Sequence, residues 1–135
     1  MSLSHQHADD ILEAAYITPA TPFVQLHTGS PGSDGTANIA ADGGGSAARK
    51  AIAFAAVSNH PSNTERRVLS DGEVSWSGSE IDASQTITHA SLWDAVTSGN
   101  LLDVSSLSES KVVGSDGVTI ADGAVEVALT VFVKP

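Results

Sequence analysis

Five histidines, at positions 5, 7, 27, 60 and 89, are the side chains of this sequence best suited to proton transfer or metal ligation. His5 and His7 share a polar terminal stretch and could hold a metal only weakly. No pair has the His-Glu-x-x-His spacing that places two ligands on one helical face. His27 and His89 fall in segments with strand character, where a hydrogen-bonded structural histidine is the expected state. Ser91 and Asp94 lie close to His89 in sequence, and strand alternation puts His89 and Ser91 on one face. A Ser-His-Asp triad also needs its serine on a sharp turn beside oxyanion donors, and no such elbow is present. The sequence therefore offers no catalytic residue, and an enzyme is not expected.

The other candidates for chemistry weaken in the same way. Gly43-Gly44-Gly45-Ser46 resembles a phosphate cradle, but the Gly-Lys-Ser/Thr that a nucleotide loop needs before a helix is missing. Asp-Gly occurs five times, at 34–35, 42–43, 71–72, 116–117 and 122–123. A calcium loop would require Asp-x-Asp-x-Asp-Gly and a closing Glu, which none provides. Tight turns are the better reading, because Asp tolerates the left-handed region and Gly has no Cβ to clash there. There is no cysteine, which removes disulfides and thiolate metal sites. No cofactor and no metal are expected. Arg66-Arg67, two adjacent arginines in an acidic chain, is a candidate carboxylate or intersubunit contact set against a solvated loop.

Six basic residues against sixteen acidic give a formal charge of -10. That balance opposes nucleic-acid binding, which needs a basic footprint to displace counterions. No apolar run approaches the roughly 18 residues of a membrane span, and the polar N-terminus lacks signal-peptide character. Neither nucleic acid nor membrane is an expected partner. Hydrophobic residues make up 41% but aromatics only 4%, so the core must be aliphatic. A chain of 135 residues suits one domain.

The elements that would position these residues are mostly strands. Residues 8–16 are the one helical segment, with Asp9 and Asp10 in its first turn and Ile11, Leu12 and Ala15 forming a stripe bordered by Tyr16. Either this helix packs on its own domain or it is an arm that docks on a neighbour and could be deleted without unfolding the rest. Pro19 and Pro22 precede a strand at 23–28, and Pro31-Gly32 turns it into a long loop, 29–48. Further strands are expected at 51–55, 74–77, 87–93, 101–107, 111–113 and 118–120, the last two joined as a hairpin at Ser115-Asp116-Gly117. The closing strand is the clearest: Val125, Val127, Leu129, Val131 and Val133 share one face, and Phe132 points to the other. These elements predict an all-β fold, an antiparallel β-sandwich or jelly-roll-like barrel with a short N-terminal helix. Residues 1–15 form the arm or helix and 16–135 a single β domain.

Several of these pieces resemble a family of small tailed-phage virion proteins, often labelled tail-fibre or minor tail proteins. Tyr16-Ile-Thr-Pro-Ala-Thr-Pro-Phe-Val-Gln-Leu-His-Thr-Gly-Ser-Pro-Gly is similar to the family's opening segment. Gly44-Gly45-Ser46-Ala47-Ala48-Arg49 follows its Gly-Gly-Ser-Tyr-Ala-Arg, with Ala47 in place of Tyr. Ile87-Thr88-His89, Trp93-Asp94-Ala95 and Gly99-Asn100-Leu101-Leu102 match a later block, which Ser98 interrupts. A closing Gly-Val-Thr-Ile-Ala-Asp-Gly-Ala-Val-Glu-Val strand also fits. The resemblance covers nearly the whole chain in order.

It implies a non-enzymatic structural protein in many copies on a virion assembled in the bacterial cytoplasm. Its partners would be other copies of itself, as a trimer, and the major capsid protein or another virion protein. A compact acidic domain without heptads or repeats favours capsid (head) decoration. A tail fibre or minor tail protein is the alternative. A carbohydrate-binding sandwich, with Trp76 and Trp93 as exposed stacking platforms, is a further one. The expected interface residues are Ile11, Leu12, Tyr16, Arg66, Arg67 and Phe132.

Overall fold

The computed structural model describes residues 4–17, 21–59 and 65–130, so Phe132 and His60 lie outside the described residues. Ser4 opens helix α1 (His5–Leu12): its hydroxyl accepts from the His7 N–H at 3.1 Å, satisfying one of the free N–H groups of the first turn. The helix therefore starts three residues earlier than the expected 8–16 span. Asp9 and Asp10 sit in its second turn rather than its first. Glu13–Ile17 continue as a π-helical turn.

The strands are short. They run β1 (Phe23–His27), β2 (Ala41–Asp42), β3 (Gly45–Ser46), β4 (Lys50–Ala51), β5 (Ser58–Asn59) and β6 (Glu65–Leu69). Then come β7 (Val74–Ser77), β8 (Thr86–Trp93), β9 (Leu101–Val112), β10 (Gly117–Ile120) and β11 (Glu126–Thr130). All named pairings are antiparallel, so the fold is all-β with one short N-terminal helix, as the turn and alternation pattern predicted.

Two sheets carry the architecture, one ordered β4-β1-β8-β9 and the other β11-β6-β5. The chain between β4 and β5 joins them. Phe54 bridges to Ser70, the Ala55 N–H donates to the Leu69 carbonyl, and the Asp71 N–H donates to the Ala53 carbonyl. Residues 50–59 thus pair with β1 at one end and with β6 at the other. The resulting ladder runs β9, β8, β1, residues 50–59, β6, β11. Its two ends approach where the Ser105 hydroxyl reaches the Glu126 carbonyl at 3.5 Å, but they form no ladder. Among the described residues the barrel does not close, and a seam remains between β9 and β11.

Two expectations need correction here. Residues 111–113 and 118–120 do not make a hairpin: β10 pairs instead with β7, Val118 opposite Trp76 and Ile120 opposite Val74. The turn itself forms, with Gly114 and Gly117 exchanging hydrogen bonds. β9 is longer than predicted and absorbs the 111–112 segment through a shift of register. Ile87 faces Lys111 but His89 faces Ser106, so residues 107–110 bulge from the sheet. All five Asp-Gly glycines, 35, 43, 72, 117 and 123, do have positive φ, which is why glycine stands there.

The helix plugs the end of the seam. Ala8, Leu12 and Tyr16 are 0%, 1% and 6% exposed, and the Tyr16 ring meets Phe54 edge-on at 5.4 Å. Leu12 and Tyr16 join one core with Val24, Leu26, Phe54, Val68, Trp76, Leu92 and Val127. Asp9 clasps Arg66 of β6 through two hydrogen bonds, at 2.6 and 3.0 Å. Of the two readings of the helix, the structure takes the first: it packs on its own domain. The reason is the stripe itself, which a helix of eight residues must bury to persist. Leu12→Ala should accordingly lower unfolding free energy by about 2–5 kcal/mol, as for other buried leucines. Urea denaturation would show it as an earlier midpoint with unchanged slope.

Candidate functional site

Alternation sorts β1 and β8 into two faces. Val24 and Leu26, opposite Leu92 and Ala90, point into the core. Gln25 and His27, opposite Ser91 and His89, point the other way, yet Gln25, His27 and Ser91 are 6%, 0% and 0% exposed. Residues 29–49 cover this second face. They carry a two-residue hairpin, β2 with β3, and a bridge from Ile39 to His27. Gly35 lets the loop approach: at φ 73° it lies so close that a Cβ would stand 2.9 Å from Trp93 and 2.8 Å from Leu101.

Burying that many polar groups requires partners for all of them. His27 Nδ1 lies 2.8 Å from the Ala37 carbonyl, which can only accept, so Nδ1 carries the proton. Nε2 must then accept from the Ser91 hydroxyl at 2.7 Å, and Ser91 Oγ in turn accepts from the Trp93 indole N–H at 2.8 Å. Donors and acceptors run in one direction from Trp93 to Ala37. Burial, partly offset by the Ala37 carbonyl and reinforced by nearby His89, holds His27 below the ordinary histidine range. The imidazole stays neutral.

A serine 2.7 Å from a neutral histidine is also the start of a hydrolase dyad. Here both residues are fully buried, the third partner is a backbone carbonyl, and the serine lone pair is occupied by an indole N–H. Asp94 faces elsewhere, accepting from the Asn100 N–H and side-chain amide at 2.7 and 2.9 Å. These Asn100 bonds, with Arg49 a lesser cause, hold Asp94 below the ordinary carboxylate range. The cluster is built to fix chain segments in place.

Arg49 extends the fixing to the surface. Its guanidinium lies 3.8 Å from the centre of the Trp93 ring. It donates to the Gln25 amide oxygen and to the carbonyls of Ala95 and Ser98. Gln25 donates onward to the Ala47 carbonyl at 3.3 Å. The residues that carry the family resemblance, from Leu26-His27-Thr28 through Arg49 to Trp93-Asp94 and Gly99-Asn100, thus hold one another. Sequence reasoning missed Arg49 and Gln25. The available signal was two polar side chains, Gln25 and His27, on a strand bracketed by prolines and turns.

The expected interface residues separate. Ile11 is 39% exposed, whereas Leu12 and Tyr16 lie in the chain's own core and present nothing to a neighbour. Arg66 holds Asp9 and also the Asn59 side chain, and Arg67 holds Glu126 at 2.9 Å. Both arginines bind carboxylates, as their type suggested, but of the same chain. Trp76 and Trp93 are 1% and 7% exposed, and the Trp76 indole N–H donates to the Ala48 carbonyl. Neither ring can stack on a sugar, which overturns the carbohydrate-platform reading. Among the described residues no three His, Asp or Glu side chains gather as a metal site, and no helix is long and apolar enough to cross a membrane.

The domain is all-β, and the Gln25, His27 and Ser91 side chains are turned inward on its own loops. Residues 2–128 match the family described as Podophage GP4 fiber I protein gp80, and the chain belongs to that family. It is a bacteriophage virion structural protein. No curated protein matches the chain.

Two variants test the network. Ser91→Ala leaves His27 Nε2 and the Trp93 N–H buried without partners, each costing about 1–3 kcal/mol, and chemical denaturation should report the sum. Stability should also depend on pH through His27. The unfolded chain protonates it below pH ~6.5 and the folded chain resists, so its contribution is full above that value and is lost as pH falls towards the lower folded pKa. In His27→Gln the slope of stability between pH ~6.5 and ~5 should flatten relative to wild type.

Proposed function

We propose that the protein is a non-enzymatic fibre component of a podophage particle, present as a compact module rather than as the fibre shaft. The family match over residues 2–128 carries this reading. The long runs of heptads or repeats that would build a shaft are missing, and a core joined by the N-terminal helix favours a rigid block. In this reading copies assemble with one another as a trimer, and the exposed Ile11 and Val112 are large apolar side chains available for such contacts. Leu12 and Tyr16 are not.

Head decoration is a second reading, supported by the net charge of -10 and a compact fold of 135 residues. An acidic domain is harmless outside a shell that holds DNA. Gold-labelled antibody against the purified protein, imaged on intact virions, separates the two. Label at the tail fibres is the expected result, and label spread over the capsid would transfer the assignment to decoration. Light scattering of the purified protein should give the mass of three chains.

A further inference from the structure

A cleft of about 460 Å³ opens where the π-helical turn meets the 50–59 ribbon. Tyr16, Pro22, Ile52 and Phe54 line its apolar part, all buried, and Asp71 and Glu73 stand exposed at its rim. Neither carboxylate has a hydrogen bond or an ion pair among the described residues. This sets them apart from Asp9, Glu80, Asp94 and Glu126, which are all engaged.

The chain has few cations with which to answer them. Of six basic residues, four are committed internally: Arg49 to Trp93 and two carbonyls, Lys50 to Glu80, Arg66 to Asp9, and Arg67 to Glu126. We infer that the cleft receives a lysine or arginine side chain from a different virion protein. The aliphatic stem of such a residue suits the wall formed by Ile52 and Phe54, and its charged head suits the two carboxylates. A second copy is a poor occupant, because four of its six basic side chains are already engaged within its own chain and few cations are left to offer. This inference rests on the virion reading and names the chemistry of the partner's contact.

Particles that lack this protein, mixed with the purified full chain, give the test. Wild type, the double variant Asp71→Asn/Glu73→Gln and the charge-matched control Glu109→Gln/Asp116→Asn are compared by co-sedimentation across a range of salt. The cleft variant should bind at least about tenfold more weakly at low salt, with the difference closing towards 1 M as charges are screened. The control should bind as wild type does. Zero-length carbodiimide coupling on intact virions should join the peptide containing Asp71 and Glu73 to a lysine of another protein.

Equal binding by the cleft variant would overturn the inference and leave the virion assignment standing. Coupling of that peptide only to Lys111 of a second copy would overturn the choice of partner. Failure of wild type itself to bind any particle would overturn the virion attachment on which the inference rests. Asp71 and Glu73 are exposed and the substitutions are nearly isosteric. A melting temperature equal to wild type confirms that weaker binding is not unfolding.

Discussion

The directed chain of hydrogen bonds from Trp93 through Ser91 and His27 to the Ala37 carbonyl is the constraint on which the rest of the structure depends. β1 and β8 form the middle of the larger sheet, and a central sheet buried on both faces needs a cover for each. One cover is the aliphatic core. The other is the 29–49 loop, which has little apolar surface and must be held by polar groups. Such a network binds well only when every member is satisfied, and here each donor has one acceptor. Arg49 closes the arrangement from outside by stacking on Trp93 and holding the loop after β8.

The second constraint is the seam. A ladder that begins at β9 and ends at β11 leaves two edges facing each other without pairing. Exposed edges invite association, and folds manage them by covering or bending them. Both devices are used. The bulge at residues 107–110 turns the end of β9 out of register, and α1 with its π-helical turn lays Leu12 and Tyr16 across the other end. Burial in this corner pushes the Asp103 carboxyl up, and burial together with Asp103 pushes the Tyr16 phenol up. An N-terminal segment in that position is part of the domain.

For a particle component, this division of labour has a consequence. The interior chemistry is spent on rigidity, and so is most of the positive charge. What is left over is acidic: the chain carries a net charge of -10, and among the described residues Asp71 and Glu73 stand exposed without a cation. Arg66 and Arg67 illustrate the point. In sequence they stood as a carboxylate or intersubunit contact set against a solvated loop, and in the fold they pair with Asp9 and Glu126 of the same chain.

Alternation and turn chemistry are local, and the sequence by itself determined what is local: strands at β1, β7, β8 and β11, and positive-φ turns at every Asp-Gly. The order of motifs also determined the family resemblance. Pairing partners, by contrast, are set by contacts distant in sequence. No local pattern could say that β10 crosses to β7, or that three extra residues of β9 would bulge towards the seam. The same holds for side chains whose type is ambiguous. Leu12 and Tyr16 form an apolar stripe whether the stripe meets a neighbour or the chain's own core. Only the packing of α1 over Phe54 and β6 decided between them. Trp76 and Trp93 likewise owe their burial to a loop distant in sequence, met at Ala48 by the first and at Gly35 by the second, because a ring is covered by whatever the tertiary fold lays upon it.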